Sequence, residues 1–198
     1  MIPAAQIIPL FVAIPLGGAF LVALIGRKIP RLPDLMVSTA SLFLLVLAIY
    51  SVKLANAHGT IVYAVGNWTP PVGIAMVLDG LAAFMLVTVS LIGLFVALFS
   101  IGYMERFTAK WQFATLFLLM LAGMNGVIVA GDIFNLFVCL EIAAVASYAL
   151  VAFGTERHAL EAAFKYAVMG SLGSLFILLG IAWMYGYTST LNMADMAG

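Results

Sequence analysis

Residues 131–154 read GDIFNLFVCLEIAAVASYALVAFG, an apolar run of membrane-spanning length with a carboxylate at its centre. Crossing the hydrocarbon of a bilayer, roughly 30 Å, takes about 20 helical residues. Asp132 stands at the start of the run, where a carboxylate can accept the free N–H groups of a helix, so we predict a cap there. Glu141 follows further along, about 13.5 Å deeper at 1.5 Å per residue, which places it close to the midplane.

The composition of the whole chain indicates an integral membrane protein. Of its 198 residues, 66% are hydrophobic and 8% are charged, whereas soluble domains have about 45–50% and about 25%. The formal net charge is +0, with no basic patch, which argues against a nucleic-acid partner. The first basic residue is Arg27, so residues 1–26 are predicted to be a retained span rather than a signal peptide. The single cysteine, Cys139, excludes an internal disulfide and is interpreted as a small packing residue.

Six apolar runs predict an all-α integral membrane protein with one membrane domain over residues 1–198. The predicted spans are about 5–26, 34–55, 76–101, 112–130, 132–153 and 158–185. Residues 56–75 form the longest loop and hold Pro70 and Pro71 as turn residues. Within this loop IVYAV predicts a short strand pair outside the bilayer, and Trp68 suits the membrane interface.

The basic residues predict an orientation. The loop after span two holds only Lys53, at a helix end, and the loop after span four holds none. Basic residues are concentrated in cytoplasmic loops of membrane proteins, so we predict that both termini lie outside. The loops after spans one, three and five hold the cluster that supports this orientation: Arg27, Lys28, Arg31, Arg106, Lys110 and Arg157.

A second charge, Lys165, lies deep in the sixth span. It follows His158, at the inner end of that span, at a depth of about 10.5 Å. A charge at the bilayer centre costs at least about 2.5–3.5 kcal/mol, and such residues usually mark ion or proton paths. Lys165 also has a local alternative, because Glu161 precedes it in the favourable i,i+4 order. Glu141 has only apolar neighbours at the corresponding positions, namely Phe137, Val138, Ala144 and Val145.

Other polar residues are candidates for a path or its support. Asn125 in span four and Ser147 in span five add polar groups at depth, and Asp79 is predicted to be a helix-end residue. Tyr148 lies on about the same helix face as Glu141, so it is either part of a water chain or an interfacial aromatic. Small residues predict close helix packing rather than chemistry at Gly123, Gly126, Gly170, Gly173 and Ser174.

Four stretches occur in an informative order: GNWTPPVGIAMVLDGLAAFM, GDIFNLFVCLEIAAVASYAL, LEAAFKYAVMGSLGS and YGYTSTLNMADMAG. Together they resemble the antiporter-like membrane subunits of complex I, membrane-bound hydrogenases and Mrp-type cation/proton antiporters. DIFNLFV followed by Glu and SYAL looks closest to the Mrp D-type and hydrogenase relatives. The resemblance implies that Glu141 is the fifth-helix glutamate and Lys165 the sixth-helix lysine of a charge pair in a proton-translocating half-channel.

The resemblance covers only the first six helices of a family built on two inverted repeats. It therefore implies a multisubunit complex in an energy-conserving membrane, such as the prokaryotic cell membrane, whose other subunits supply the later helices. Two functions stay open. The chain either helps to translocate protons or exchange Na+, or it is a non-conducting assembly subunit. In the first case Glu141 and Lys165 carry the proton, with path or support from Tyr148, Asn125, Asp132, Asp79 and Glu161.

An enzyme with its own active site is not expected. The sequence has no phosphate loop, metal-ligand set or nucleophile–His–acid arrangement, and the predicted topology puts His58 and His158 on opposite sides of the membrane. We therefore expect no cofactor in this chain. Any redox chemistry, as in an NADH:quinone oxidoreductase or a hydrogenase, would belong to partner subunits. The parent complex, the ion and its direction are left open.

Overall fold

A computed structural model describes residues 4–68, 73–107 and 109–197. Six helices in it are long and apolar enough to cross a membrane, which confirms the predicted fold class. A 3-10 turn, Ala4–Ile7, precedes the first of them, and a short helix, Met193–Met196 (α7), follows the last. The six are α1 Leu10–Ile25, α2 Leu32–His58, α3 Gly80–Tyr103, α4 Lys110–Val129, α5 Ile133–Val151 and α6 Arg157–Thr188.

Several helix ends differ from the predicted spans by a few residues. Helix α3 begins at Gly80 rather than near residue 76, because residues 75–78 form a strand and Asp79 caps the helix. The Asp79 carboxylate accepts a hydrogen bond from the N–H of Ala82 at 2.7 Å. This confirms the predicted helix-end role of Asp79. Helix α6 continues to Thr188, past the predicted end near residue 185.

The loop between α2 and α3 contains the predicted strand pair. β1 (Ile61–Ala64) and β2 (Ala75–Leu78) are antiparallel, with Ile61 opposite Leu78 and Ala64 opposite Ala75. The predicted turn residues Pro70 and Pro71 lie outside the described residues. Trp68 is exposed beside the hairpin, and its position at a membrane interface stays a prediction.

Backbone hydrogen bonds join this hairpin to two other segments. The N–H of Gly131, in the α4–α5 turn, donates to the carbonyl of Ala75 at 3.0 Å. The N–H of Met193 donates to the carbonyl of Gly131, also at 3.0 Å. One end of the bundle is thereby tied together by the hairpin, the α4–α5 turn and the segment after α6.

The hydrophobic core lies among α1 to α4. One cluster of buried side chains includes Phe11, Leu44 and Leu86, and a second includes Val22 and Leu118. In the apolar stretch of α4, 50% of the residues are buried, against 11% in α5 and 6% in α6. Helix α5 packs on α4, and α6 packs mainly on α5. The helices with the two predicted charges therefore form the least covered part of the protein.

Candidate functional site

Glu141 lies in the middle of α5 and contacts α6. The hydroxyl of Ser174, on α6, donates a hydrogen bond to Oε1 of Glu141. Ser174 is buried and Glu141 is half-buried. Ser174, which the sequence analysis interpreted as a packing residue, is thus also a hydrogen-bond partner of Glu141. The antiparallel pairing of α5 and α6 brings residue 174 to the level of residue 141, and sequence spacing within one helix does not reveal that register.

Lys165 contacts Glu161 rather than Glu141. Its Nζ lies 2.6 Å from Oε1 of Glu161, with the two side chains 71% and 55% exposed. This is the local i,i+4 pair that the sequence left as an alternative. Within the described ranges, no direct salt bridge joins Glu141 to Lys165. A link between them through waters or other protein segments stays a prediction.

Further polar groups lie along the same α5–α6 contact. The ring of Tyr148 meets that of Tyr166 edge-on, with centroids 4.7 Å apart and planes at 81°. The hydroxyl of Ser147 lies 3.3 Å from that of Tyr166 and bonds the carbonyl of Ala144 at 2.7 Å. Tyr148 is thus packed between the two helices. Tyr166, which the sequence analysis did not single out, belongs to this contact because it lies on the α6 face toward α5.

The hydroxyl of Tyr148 lies directly against Gly170, where a Cβ atom would collide with it. Gly170 precedes Ser174 by one helical turn on the same face of α6. The predicted close packing at Gly170 is thus confirmed. By contrast, no atom in the described part of the chain lies within 4 Å of a Cβ added to Gly173, so close packing at this glycine stays a prediction.

Asn125 joins α4 to α1. It is completely buried, and its Nδ2 donates to the carbonyl of Phe11 at 3.0 Å. In an uninterrupted helix that carbonyl would accept the N–H of residue 15, but Pro15 has none. Asn125 therefore supplies the donor that Pro15 removes, which gives this candidate a structural role. Its Oδ1 is buried without a partner in the part of the chain that the structure describes.

Asp132 caps α5, as predicted. Its carboxylate accepts the N–H of Asn135 at 2.8 Å, and the residue is 7% exposed. An isolated β-bridge also pairs Asp132 with Asn192, in the segment after α6. The first turn of α5 is thus held by a side-chain cap and by a backbone pairing.

Close contact between α4 and α5 depends on glycines. A Cβ atom on Gly123 would lie 2.5 Å from the backbone nitrogen of Ala143, and one on Gly126 would lie 2.5 Å from Sγ of Cys139. Both predicted packing glycines are confirmed. Cys139 is buried at this contact, which confirms its interpretation as a packing residue.

The described residues contain no group of three or more His, Cys, Asp or Glu side chains that could hold a metal ion. His58 is the last residue of α2 and His158 lies in the first turn of α6. The polar groups described above on α5 and α6 are a carboxylate, hydroxyls and one lysine–glutamate pair.

Two family models match successive parts of the chain and define its class as an antiporter-like membrane protein. Residues 64–124 match the model described as NADH-ubiquinone oxidoreductase (complex I), chain 5 N-terminus. Residues 130–198 match the model described as NADH:quinone oxidoreductase/Mrp antiporter, TM. The second match includes Glu141, Lys165 and Ser174.

Full-length relatives agree with these models. NADH-quinone oxidoreductase subunit N of Desulforudis audaxviator is 40% identical, over 96% of this chain and 37% of the relative. A Na(+)/H(+) antiporter subunit from Alkalihalophilus pseudofirmus is 33% identical, over 91% of this chain and 36% of the relative. The chain thus spans little more than a third of the length of these relatives.

Solved structures share the fold. A chain of the archaeal membrane-bound sulfane sulfur reductase, a respiratory membrane complex, superposes with a TM-score of 0.88 at 36% identity, covering 97% of this chain and 39% of that one. A chain of the Mrp complex from a Dietzia species gives 0.89 at 31% identity, covering 98% and 36%. This chain belongs to the family of antiporter-like membrane subunits found in NADH:quinone oxidoreductases and Mrp antiporters.

Proposed function

We propose that the chain is part of a proton-translocating, or Na+/proton-exchanging, subunit of a multisubunit membrane complex, with Glu141 as the group that takes up and releases the proton. One observation carries the proposal: a carboxylate in the middle of a membrane-length helix whose hydrogen-bond partner is an uncharged hydroxyl. The relatives named above, one from a quinone oxidoreductase and one from a Na(+)/H(+) antiporter, support the general class.

The physical argument starts from the cost of a charge in a low-dielectric environment. Ionised groups inside a membrane persist when an opposite charge or water compensates them, and otherwise take the neutral form. The hydroxyl of Ser174 can hydrogen-bond a carboxylate but cannot neutralise its charge. Glu141 therefore either binds a proton or is compensated by a charge brought from elsewhere, and alternation between these two conditions is what proton transfer requires.

Lys165 is the proposed source of that compensation, with Glu161 as its present partner. Lys165 and Glu161 both lie on the surface of this chain, so water or a neighbouring protein segment can reach the lysine and offer it another partner. In the proposed mechanism waters and neighbouring protein segments link Lys165 to Glu141. Protonation of Glu141 then weakens its attraction for Lys165, and loss of that proton strengthens the attraction.

The open face of α5 and α6 supports the proposal that other membrane subunits or segments complete the path. Few residues of α6 are buried, and its exposed side chains are mainly apolar, including Phe164, Phe176 and Trp183. The similar structures come from respiratory and Mrp membrane complexes. Lipid would cover what protein does not.

The alternative is a non-conducting assembly subunit, and replacement of Glu141 distinguishes the two. Glu141→Gln keeps the size and hydrogen-bonding capacity of the side chain but cannot ionise. We expect the complex containing it to assemble, judged on a native gel, and to lose coupled proton or Na+ transport after reconstitution into vesicles. Glu156→Gln, at an exposed position before α6, is the matched control and should transport normally. Full transport by an assembled Glu141→Gln complex would favour the assembly role.

The proposed orientation places both termini outside the membrane, based on the basic residues of the loops after α1, α3 and α5. Pro30→Cys and Asp195→Cys, each in a Cys139→Ala background, would test it with a membrane-impermeant thiol reagent. We expect residue 195 to react from the outside of intact cells and residue 30 to react only after the inner side is exposed. Reaction of residue 30 from outside would show that the topology is the reverse of the proposed one.

A further inference from the structure

We propose that Ser174 is a positioning residue for Glu141, whose hydroxyl serves as hydrogen-bond partner to both the ionised and the protonated carboxyl group. This inference rests on the proposed function of Glu141 as the proton carrier, and it assigns a role to a residue that sequence reasoning took for packing. It starts from the hydrogen bond between the two side chains across the α5–α6 contact.

The argument depends on what a hydroxyl can do that an ammonium group cannot. A serine hydroxyl has one hydrogen to donate and lone pairs that accept, whereas lysine only donates. An ionised carboxylate only accepts hydrogen bonds, whereas a protonated carboxyl group can also donate one. A lysine as direct partner would therefore favour the ionised state alone, while Ser174 can match both states.

The hydroxyl hydrogen needs a second acceptor when Glu141 is protonated, and α6 supplies one. Serine and threonine in helices can donate to a backbone carbonyl in the preceding turn. Thr188 in the same helix does so to Met184 at 2.8 Å. Ser174 has the carbonyl of Gly170 at the equivalent position. On protonation, the Ser174 hydroxyl turns to that carbonyl and its oxygen accepts the Glu141 proton as a hydrogen bond.

No net proton passes through Ser174 in this scheme. The proton arrives at and leaves from a Glu141 oxygen, and the serine keeps its own hydrogen throughout. This change of hydrogen-bond partner matters because Ser174 is buried. A buried polar group without a partner is destabilised, so a partner that suits one protonation state of Glu141 alone would disfavour the other state.

The decisive test compares Ser174→Thr with Ser174→Val in the assembled complex. Threonine and valine have nearly the same shape and differ in the hydroxyl. Infrared difference spectra taken across a pH titration report the C=O stretch of protonated Glu141, identified by its loss in Glu141→Gln. This measurement reads the carboxyl group directly and does not require transport.

We expect the threonine variant to keep the native band and titration midpoint. In the valine variant the C=O band should move to higher frequency, because the protonated carboxyl group loses its partner. Its titration midpoint should differ from the native one, because hydrogen bonds to ionised groups are stronger than hydrogen bonds to neutral groups. The pH profile of transport should move in the same direction.

Ser171→Ala, at an exposed position on the same helix, is the control and should change neither readout. If the valine variant does not assemble, Ser174→Ala, which adds no volume, replaces it with the same expectation. Native band and midpoint in the hydroxyl-free variant would overturn the role of Ser174, even if Glu141→Gln abolishes transport. Full transport by Glu141→Gln would instead overturn the proposed function, whatever the Ser174 variants show.

Discussion

The four-helix region α1–α4 and the helix pair α5–α6 differ in the hydrogen-bond partners of their polar side chains. In α4, where half of the apolar stretch is buried, Asn125 donates to a backbone carbonyl of α1 that Pro15 has left without its donor. In α5 and α6, where few residues are buried, Glu141 accepts a hydrogen bond from the hydroxyl of Ser174. The first contact has one arrangement, whereas the second has two in the proposed mechanism, which differ by a proton on Glu141.

This difference has a physical reason. Tight packing makes any change of partner costly, because neighbouring side chains have no space to move into. A group that must gain and lose a charge is better placed where water or other protein segments can approach it. In the proposed mechanism Glu141 is such a group, and it lies on the least covered helix pair. The glycine contacts between α4 and α5 attach that pair to α1–α4.

The largest expected effect comes from Gly123→Ala, at the contact between the two regions. The added Cβ would lie 2.5 Å from the backbone nitrogen of Ala143, so α5 must move away from α4. Overpacking of this kind costs about 1–3 kcal/mol. Thermal unfolding in detergent, followed by thiol labelling of the buried Cys139, should show a lower midpoint than the native protein.

Gly173→Ala is the matched control for this substitution. No atom of the residues that the structure describes lies within 4 Å of its added Cβ, and alanine favours a helix over glycine by roughly 0.5–1 kcal/mol. The control variant should therefore unfold at the native temperature or slightly above it. Equal destabilisation by both variants would mean that α5 and α6 are not the more loosely packed region.

A smaller effect is expected from Asn125→Leu, which keeps the side-chain volume but removes the donor to Phe11. We expect a loss of about 1–2 kcal/mol in the free energy of unfolding, near the upper end for interhelical hydrogen bonds in membrane proteins. In a Pro15→Ala background the loss should shrink, because the N–H of residue 15 can then bond the same carbonyl. Additive effects in this double-mutant cycle would contradict the proposed compensation.

The smallest effect on stability is expected from Lys165→Ala. Such i,i+4 ion pairs contribute about 0.3–0.5 kcal/mol in water, and this one joins two residues of the same helix. The midpoint of unfolding should therefore hardly change, and Glu161→Gln should behave alike. Transport by the reconstituted complex should nevertheless be impaired in Lys165→Ala, since Glu141 loses its proposed compensating charge. A large loss of stability without a transport defect would give the lysine a structural role.

Much of this protein is determined by its sequence. The apolar runs predict the membrane class and its six helices, because the thickness of a bilayer sets a minimum helix length. The positions of Asp79 and Asp132 near the ends of those runs predict helix-end roles. Both residues are caps in the structure, and a cap is a local interaction within one turn. Glu141 is singled out by its depth in the fifth span, which follows from the rise per residue alone.

Other contacts were decided by the tertiary structure. Sequence spacing measures position along one helix, but it says nothing of how a neighbouring helix is rotated or at which level it pairs. The antiparallel register of α5 and α6 puts Ser174 rather than Lys165 beside Glu141, although both lie in the same predicted span. The N–H donor that Pro15 lacks can likewise be inferred from the sequence. Asn125 replaces this donor because folding brings α4 against α1.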